Sequence, residues 1–351
     1  MIGSVLTDRL ASEMNNTAYE QNITVQYCFP SINSSCRKEV RTGPAYIFLF
    51  IVLSCVSVFT VFLNLLLIIS ISHFKQLHTP TNLLILSLAV ADLLVGLFIM
   101  PVNIMMLIDS CWYLGKIMCS IYPIFNGVSM SGSIYSLILI AVDRFIAVTD
   151  PLLYSTRVTI CKTVLSIILG WSFSLLYAFI FVYFNDHLLP SQALTGCYGE
   201  CVIYVKYSWL VVNVALFFLA PCSVILVLYS VIFTVARRQA KAIRAVTKGL
   251  SNKHEAQVSR FSEAKAAKTL GIVIFVHLAC WVPYSLSVEK ITSLSVVWTV
   301  FAWIIYMNSS MNPLIYAIFY PWFRASVKYI ITSCRIFVPS SSRFNLFQEH
   351  F

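Results

Sequence analysis

Charged residues are scarce in this chain of 351 residues. Lys and Arg together number 24 and Asp and Glu 14, so only 11% of the sequence is charged. In soluble globular proteins about a quarter of the residues are charged. Because 59% of the residues are hydrophobic, the composition excludes an ordinary water-soluble domain and predicts a protein whose solvent is the lipid bilayer.

The sequence also lacks the patterns on which most enzymes depend. We find no metal-ligand cluster, no glycine-rich loop to hold a phosphate, and no nucleophile paired with a base inside the apolar segments. The few acids inside those segments do not pair with one another. We therefore predict no catalytic residues, no cofactor and no enzymatic activity.

Long apolar runs dominate what is present. A helix that crosses the hydrocarbon core needs roughly 20 mostly apolar residues. The runs predict an all-α membrane protein: a seven-transmembrane helix bundle over residues 45–319, an N-terminal segment over 1–44, and a short amphipathic helix with a tail over 320–351. The seven runs are Ala45–Ile71, Leu83–Ile108, Ile117–Val148, Val164–Phe184, Tyr207–Val235, Ile272–Val288 and Val296–Phe319.

Basic residues are distributed unevenly between the connections. Lys and Arg favour the cytoplasmic side, so the N-terminus is predicted outside the cell and the C-terminal tail inside. The net charge of +10 then reflects this topology and contact with anionic membrane lipid, and nucleic acid is not needed to explain it. The even-numbered connections carry only Lys116, Lys206 and Lys290. The odd-numbered connections carry Lys75, Arg157, Lys162, Arg237, Arg238, Lys241, Arg244, Lys248, Lys253, Arg260, Lys265 and Lys268.

Acceptor sequences for N-glycosylation lie near the N-terminus, at Asn15, Asn22 and Asn33. Glycans are added on the outer side of the membrane, so these sites agree with the predicted orientation. No basic segment followed by a short apolar one precedes the first run, and we expect that run to act as its own uncleaved targeting signal.

Asn312 and Pro313 lie inside the seventh run, where a helix is expected. Proline removes a backbone donor and bends a helix, and lipid cannot bond to the freed carbonyl. The sequence from Asn312 to Tyr316 resembles the Asn-Pro-x-x-Tyr motif of rhodopsin-like G-protein-coupled receptors. A longer pattern resembles the fingerprint of the trace amine-associated receptors; it includes Asn308 and Ser309 before the motif and Tyr320, Trp322 and Phe323 after it.

The resemblance covers about residues 45–335. Asp143-Arg144-Phe145 resembles the family's Asp-Arg-Tyr motif with the tyrosine replaced, and Cys280-Trp281-Val282-Pro283 resembles its Cys-Trp-x-Pro hinge. Two positions depart from the pattern. Leu63 stands where the family usually has glycine, and His277 stands where it usually has an aromatic residue, commonly phenylalanine. Further matches are Trp171, Pro221 and Tyr229.

The resemblance implies a plasma-membrane receptor that binds a small molecule between its helices and activates a heterotrimeric G protein. It further implies a chemosensory, olfactory role with coupling to a stimulatory G protein. The alternatives are a rhodopsin-like receptor for a neutral or zwitterionic ligand and a membrane transporter. Transporters use broken helices at the membrane midplane but usually show a duplicated half, and no internal repeat is found here.

The resemblance also implies a set of switch residues. Asp92, in the middle of the second run, matches the family's sodium-site aspartate, with Asn64, Asn308 and Asn312 as expected neighbours. Arg144 and Glu263 match the pair that ties helices three and six together in inactive receptors. Breaking that pair would free helix six to swing outward and admit a G protein. The other implied switch residues are Asp143, Tyr229, Pro283, Pro313 and Tyr316.

Cysteine is expected to form disulfides outside the membrane, since that side is oxidising. The candidates are Cys28, Cys36, Cys111, Cys119, Cys197 and Cys201. In the resembled family the cysteine that opens helix three is bonded to the second extracellular loop, which implies Cys119 with Cys201. The family also has a bond from the N-terminus to that loop, and we expect Cys197 with Cys28, with Cys36 as the alternative.

The ligand position is marked by Asn126, seven residues after Cys119 and so about 10 Å deeper in the third helix on nearly the same face. In aminergic receptors and most trace amine-associated receptors this position is an aspartate that pairs with the ligand's ammonium group. Some fish relatives carry the aspartate on helix five instead, where this chain has Asn213. Removing one member of a buried ion pair costs on the order of 3–5 kcal/mol.

Aromatic residues can still bind a cation, and each cation–π contact stabilises it by about 0.5–2 kcal/mol. The resemblance places Trp281, Tyr284, Trp303 and Tyr306 in the pocket, and Glu289 and Asp109 are substitute acids nearer the surface. Three possibilities stay open: an amine bound through a substitute acid, a neutral or zwitterionic odorant bound by the two amides, and a ligand of another kind.

Overall fold

The computed structural model describes residues 26–38, 43–108, 110–185, 196–201, 205–247, 271–273, 275–282 and 296–335. The first five predicted spans are helices at Pro44–His73, Pro80–Ile108, Gly115–Thr149, Ile160–Phe184 and, for the fifth, from Tyr207 on to Thr247. The sixth is described over Gly271–Val282 except position 274, and the seventh is Val296–Phe319. Two further helices lie at Pro151–Arg157, the loop helix, and at Pro321–Arg335, the C-terminal helix.

The helix starts follow from local chemistry. Thr79 accepts a hydrogen bond from the backbone of Asn82 at the start of the second span, and Pro80 occupies the first turn, where no backbone donor is needed. Thr159 accepts in the same way from the backbone of Lys162 at the start of the fourth span. A proline also opens the loop helix directly after the third span ends at Thr149. The chain therefore turns where capping residues and prolines stand.

Two spans contain a widened π turn, at Val95–Ile99 and at Ala215–Leu219. Each π turn ends two residues before a proline, Pro101 in the second span and Pro221 in the fifth. Proline has no backbone donor and its ring collides with the preceding turn. A wider turn relieves that conflict without breaking the helix.

The outer faces of the helices are apolar. Within the described residues, five helices are long and apolar enough to cross a membrane, and they are the first five spans. Large side chains such as Phe48, Ile117 and Leu176 are exposed on them. Exposed apolar surface of this extent suits contact with lipid, in agreement with the predicted membrane protein.

Small residues bring the second, third and fourth spans together. Trp171 packs against Gly132, and its Nε1 donates to Ser87 Oγ at 3.0 Å. A Cβ on Gly170 would overlap the Tyr135 ring, so glycine is required at that contact. Close approach at small residues is how membrane helices associate.

Within the described residues, three disulfides join the N-terminal segment and the connection between the fourth and fifth spans to the region where the second span ends and the third begins: Cys28–Cys111, Cys36–Cys197 and Cys119–Cys201. The third is the pair implied by the resemblance. The expected Cys28–Cys197 bond is wrong, and the alternative partner of Cys197 is the one observed. The reason is backbone pairing: Cys36 N donates to Tyr198 O at 2.8 Å, which brings Cys36 beside Cys197. Trp112 N donates to Gly199 O at 2.7 Å, which brings the adjacent Cys111 to the same segment and leaves it to Cys28.

The C-terminal helix is held against the end of the seventh span. Arg324 Nη1 donates to the carbonyl oxygens of Ala317 at 3.2 Å and Ile318 at 2.6 Å. These carbonyls lie in the last turn of the span, where no helical partner exists. Phe323 is buried in a hydrophobic cluster that includes side chains of the first and seventh spans.

Candidate functional site

Asp92 lies at the centre of the bundle and is fully buried. Its Oδ2 accepts a hydrogen bond from Asn312 Nδ2 at 2.8 Å, and its Oδ1 accepts from Ser133 Oγ at 3.4 Å. These contacts join the second span to the seventh and the third. Ser133 was missed by sequence reasoning because it stands among several serines of the third span with nothing to distinguish it.

Asn64 extends this cluster to the first span. Its Nδ2 donates to Thr60 O at 2.9 Å and to Ser309 O at 3.0 Å. The Oδ1 atoms of Asn64, Asn308 and Asn312 are all buried without a hydrogen-bond partner. The cluster therefore contains more hydrogen-bond acceptors than donors. Each acceptor left unsatisfied in this way costs about 1–3 kcal/mol.

The composition of this cluster fits a small hard cation such as sodium. Within the described part of the chain, the ion pairs are Arg144–Asp143 and Arg157–Asp150, and neither reaches Asp92. An unpaired carboxylate at this depth is costly unless a proton or a cation neutralises it. Asp92, Ser133 and the amide oxygen of Asn312 are the groups that would hold such an ion, which would supply the missing positive charge.

His277 links the sixth span to the same cluster. Its Nδ1 lies 3.1 Å from Asn308 Nδ2, and both residues are buried. The His277 ring also lies 5.8 Å from the Trp281 ring, centroid to centroid. An aromatic hydrocarbon at this position offers no such hydrogen bond, so the departure from the family pattern creates a polar contact between the sixth and seventh spans.

Asp143 is the centre of a second cluster, at the inner end of the third span. Arg144 Nε donates to its Oδ2 at 2.9 Å, and Thr81 Oγ1 donates to the same oxygen at 2.8 Å. Tyr154, on the loop helix, donates its hydroxyl to Asp143 Oδ1 at 2.7 Å. One buried carboxylate thereby joins the second span, the third span and the loop helix.

Tyr154 and Thr81 were missed by sequence reasoning. Burial of the hydroxyl, and then the neighbouring Asp143 carboxylate, raise the pKa of Tyr154 above its ordinary value of 10.0. The hydroxyl therefore keeps its proton, and its role as donor, throughout the physiological range. The signal available in the sequence was a tyrosine shortly after Asp143 in the connection that follows the third span.

Two of the predicted switch residues, Glu263 and Pro283, lie outside the described residues. Pro313 lies inside the seventh helix, which continues to Phe319. The hydroxyls of Tyr229 and Tyr316 are buried without a hydrogen-bond partner. Each is therefore available to a water molecule or to a polar group.

Asn126 faces a different environment in the outer half of the third span. Its Oδ1 is buried and has no hydrogen-bond partner. The neighbouring Phe125 and Met130 pack against a hydrophobic cluster that also includes Trp303 and Tyr306, with Trp281 at its edge. The unsatisfied oxygen therefore lies in a part of the third span that adjoins aromatic residues of the sixth and seventh.

Asn213 does not offer a comparable group. Its Oδ1 accepts from the Tyr177 hydroxyl at 3.1 Å, and its Nδ2 donates to Trp209 O at 2.8 Å. Tyr177 belongs to the fourth span, so the amide is engaged at the contact between the fourth and fifth spans. The two predicted amides therefore differ: the oxygen of Asn126 has no hydrogen-bond partner, whereas the oxygen and nitrogen of Asn213 are both engaged.

Asn103 is a polar residue of this region that sequence reasoning missed. Its Nδ2 lies 2.5 Å from the Tyr122 hydroxyl and 3.5 Å from the Tyr306 hydroxyl, and it also donates to Ile99 O at 2.8 Å. The amide connects the second, third and seventh spans. Its signal in the sequence was an asparagine within an otherwise apolar run.

The remaining predicted residues are distributed as follows. Asn33 is exposed in the N-terminal segment. Among the described residues the acids are Asp92, Asp143, Asp150 and Glu200, and Glu200 is exposed in the connection between the fourth and fifth spans. Outside the described residues lie Tyr284, Asp109, Glu289, Asn15 and Asn22.

The fold and the two clusters that link the helices are those of a seven-transmembrane receptor. Residues 63–316 match the family model of the 7 transmembrane receptor (rhodopsin family). The chain is 41% identical to trace amine-associated receptor 13c of Danio rerio over 330 residues, 92% of this chain and 96% of that protein. It is 39% identical to trace amine-associated receptor 6 of Homo sapiens over 339 residues, 93% of this chain and 97% of that protein.

The chain belongs to the trace amine-associated receptors of the rhodopsin family. It is therefore a multi-pass membrane receptor with a small-molecule ligand and a G protein as partner, and it is not an enzyme.

Proposed function

We propose that this receptor detects a small molecule by presenting the Asn126 side chain to a hydrogen-bond donor of the ligand. The observation that carries the proposal is the buried Oδ1 of Asn126, which has no partner in the protein. A ligand N–H or O–H would satisfy that oxygen and remove a cost of about 1–3 kcal/mol. This free energy is gained only when a donor group of the ligand reaches the Asn126 oxygen.

The ligand chemistry follows from the charges near this position. None of the described acids except exposed Glu200 lies toward the extracellular side, and exposed charges are strongly screened by water. A fully charged amine would pay for desolvation without a buried counter-ion. We propose a neutral or zwitterionic odorant with a donor group as the main ligand class, held beside Trp281, Trp303 and Tyr306, with simple amines bound more weakly.

The signalling scheme is part of the same proposal. The N-terminus lies outside, the receptor resides in the plasma membrane of a chemosensory cell, and a stimulatory G protein binds at the inner end. Arg144 and Glu263 hold the sixth span inward in the absence of ligand. On this scheme Glu263→Ala raises basal signalling, and unchanged basal signalling in a well-expressed variant counts against the pair.

The ligand proposal is tested by a matched pair of variants, Asn126→Asp and Asn213→Asp. Second-messenger output is measured for each against a panel of simple amines and a panel of neutral and zwitterionic odorants, with surface expression matched. Asn126→Asp should create or strengthen amine responses by about a hundredfold in potency, because it restores a buried counter-ion. Asn213→Asp should not, since that amide is engaged with Tyr177 and Trp209.

Two results would count against the ligand proposal. No gain in amine response from Asn126→Asp would mean that the ligand does not reach this side chain. An equal gain from Asn213→Asp would mean that the fifth span contributes to the pocket as much as the third does.

A further inference from the structure

The third acceptor sequence for N-glycosylation, Asn33-Ser34-Ser35, lies in the folded extracellular segment. Asn33 is exposed, so a glycan on its side chain has room. Ser35, whose hydroxyl completes the acceptor sequence, is only 8% exposed. Asn33 is therefore accessible to a modifying enzyme, whereas Ser35, which the same modification requires, is buried.

The Ser35 hydroxyl is occupied in the fold. Its Oγ accepts a hydrogen bond from Phe29 N at 2.8 Å and donates to Cys36 O at 3.4 Å. A buried hydroxyl that both donates and accepts has no donor left for another molecule. An enzyme that must contact this hydroxyl cannot do so while the segment is folded.

The backbone around the acceptor sequence is also held in place by hydrogen bonds. Tyr198 N donates to Ser34 O at 2.7 Å, and Cys36 N donates to Tyr198 O at 2.8 Å. Cys28 N donates to Cys36 O at 3.0 Å, which closes the loop that contains Asn33. The disulfides Cys28–Cys111 and Cys36–Cys197 then prevent this loop from opening without reduction.

The disulfide partners of the loop, and Tyr198, come later in the chain. Cys111 is 83 residues after Cys28, and Cys197 is 161 residues after Cys36. During synthesis the acceptor sequence therefore emerges well before either partner. At that stage neither the disulfides nor the hydrogen bonds to Tyr198 hold the loop closed, so the local contacts of the Ser35 hydroxyl with Phe29 and Cys36 can open.

We propose that Asn33 is a glycan acceptor that can be modified only before Cys36 and Cys28 reach their partners, so that the fold fixes the order of glycosylation and disulfide closure. In the transfer, Asn33 Nδ2 bonds to the anomeric carbon of a lipid-pyrophosphate-linked oligosaccharide. The bond from that carbon to the pyrophosphate breaks, the lipid pyrophosphate leaves with the electron pair, and the amide loses one proton to the medium. A chain that closes unmodified stays unmodified.

This inference rests on the proposed extracellular orientation of the N-terminus. The test uses the full chain with Asn15→Gln and Asn22→Gln, so that Asn33 is the acceptor that remains in the segment. Glycosylation is read as a mobility shift that an endoglycosidase removes, and Asn33→Gln on the same background shows that the shift belongs to Asn33. The chain is expressed in normal cells and in cells that lack either the co-translational or the post-translational oligosaccharyltransferase complex.

The expected result is a one-glycan shift in normal cells and in cells without the post-translational complex, and its loss in cells without the co-translational complex. Dithiothreitol, added during the pulse to keep the disulfides open, should restore the shift in those last cells. Cys36→Ser with Cys197→Ser should restore it in part.

Other outcomes would overturn the inference. A shift that persists without the co-translational complex, with all cysteines intact, would show that the closed loop accepts a glycan. A shift that stays absent under dithiothreitol would show that closure is not what blocks the site. Absence of the shift in every condition would overturn Asn33 as an acceptor, and an epitope tag at the N-terminus, stained on intact cells, would show separately whether the orientation had failed.

Discussion

The Nδ1 atom of His277 lies 3.1 Å from the Nδ2 atom of Asn308, a contact that joins the sixth span to the seventh in the buried centre of the bundle. When His277 carries its proton on Nε2, the Asn308 amide donates to Nδ1 and turns its Oδ1 away. That oxygen is one of the three unpartnered amide oxygens of the Asp92 cluster. The histidine therefore fixes the direction in which the amide presents its acceptor.

Replacing His277 with phenylalanine should raise basal signalling. The substitution removes one hydrogen bond between the sixth and seventh spans, worth about 0.5–1.5 kcal/mol, which shifts a two-state equilibrium about twofold to tenfold. The measurement is second-messenger output without ligand, normalised to receptor at the cell surface. His277→Gln keeps an acceptor and should stay close to wild type, and equal output from wild type and His277→Phe would remove the contact from the switch.

Sodium should stabilise the purified receptor through Asp92. At a sodium concentration about five times the dissociation constant, binding to the folded state adds about 1 kcal/mol. The melting temperature is compared in sodium chloride and in choline chloride at equal ionic strength. Asp92→Asn should abolish the difference, whereas Asp150→Asn, at an exposed ion pair with Arg157, should retain it; an undiminished sodium effect in Asp92→Asn would place the ion elsewhere.

Tyr154→Phe should loosen the loop helix Pro151–Arg157. The change leaves Asp143 Oδ1 without its donor, and a hydrogen bond to a charged group is worth about 1.5–3 kcal/mol. Backbone amides of residues 151–157 should exchange hydrogen about tenfold to a hundredfold faster. Tyr183→Phe, at an exposed tyrosine, serves as control, and unchanged exchange in Tyr154→Phe would mean that the hydroxyl does not hold the loop helix.

The same contact has a defined pH dependence. The pKa of Tyr154 is raised in the folded protein, so the folded state retains this proton after the unfolded chain has lost it. The stabilisation is fully present below the ordinary pKa of 10.0 and falls as pH rises through the folded pKa. Between pH 6 and about 9, hydrogen exchange of the loop helix, corrected for its intrinsic rate, should show no change from this group.

Peptide mapping without reduction should recover Cys28 joined to Cys111 and Cys36 joined to Cys197. Recovery of Cys28 joined to Cys197 would contradict the structure. The Cys28–Cys111 bond closes a long loop, so Cys28→Ser with Cys111→Ser should lower the free energy of unfolding by about 2–4 kcal/mol. Cys55→Ser, at an exposed free cysteine, should leave it within about 0.5 kcal/mol.

The helical bundle was predictable because lipid leaves the backbone little choice. A chain without water must bond its own carbonyls and amides, so an apolar run of spanning length becomes a helix. The third span was predicted as Ile117–Val148 and is Gly115–Thr149. The clusters around Asp92 and Asp143 were predicted in part, since acids in or next to apolar runs stand out, whereas serine, threonine and tyrosine partners do not.

The direction of Asn213 illustrates what could not be predicted. Counting eight residues back from Pro221 assumes a regular helix, but the π turn Ala215–Leu219 lies between the two. One extra residue in a turn rotates everything before it by about 100°. The choice between Cys28 and Cys36 as the partner of Cys197 could not be made from the sequence either, because the pairing of Cys36 follows from backbone hydrogen bonds to Tyr198 that no spacing reveals.

Cys197 and Cys201 are bonded to the N-terminal segment and to the third span respectively, and only Tyr198, Gly199 and Glu200 separate them. A force applied to the N-terminal segment would pass through those few residues to the start of the third span. A molecule that binds this segment would therefore act mechanically on the third span without entering the ligand pocket.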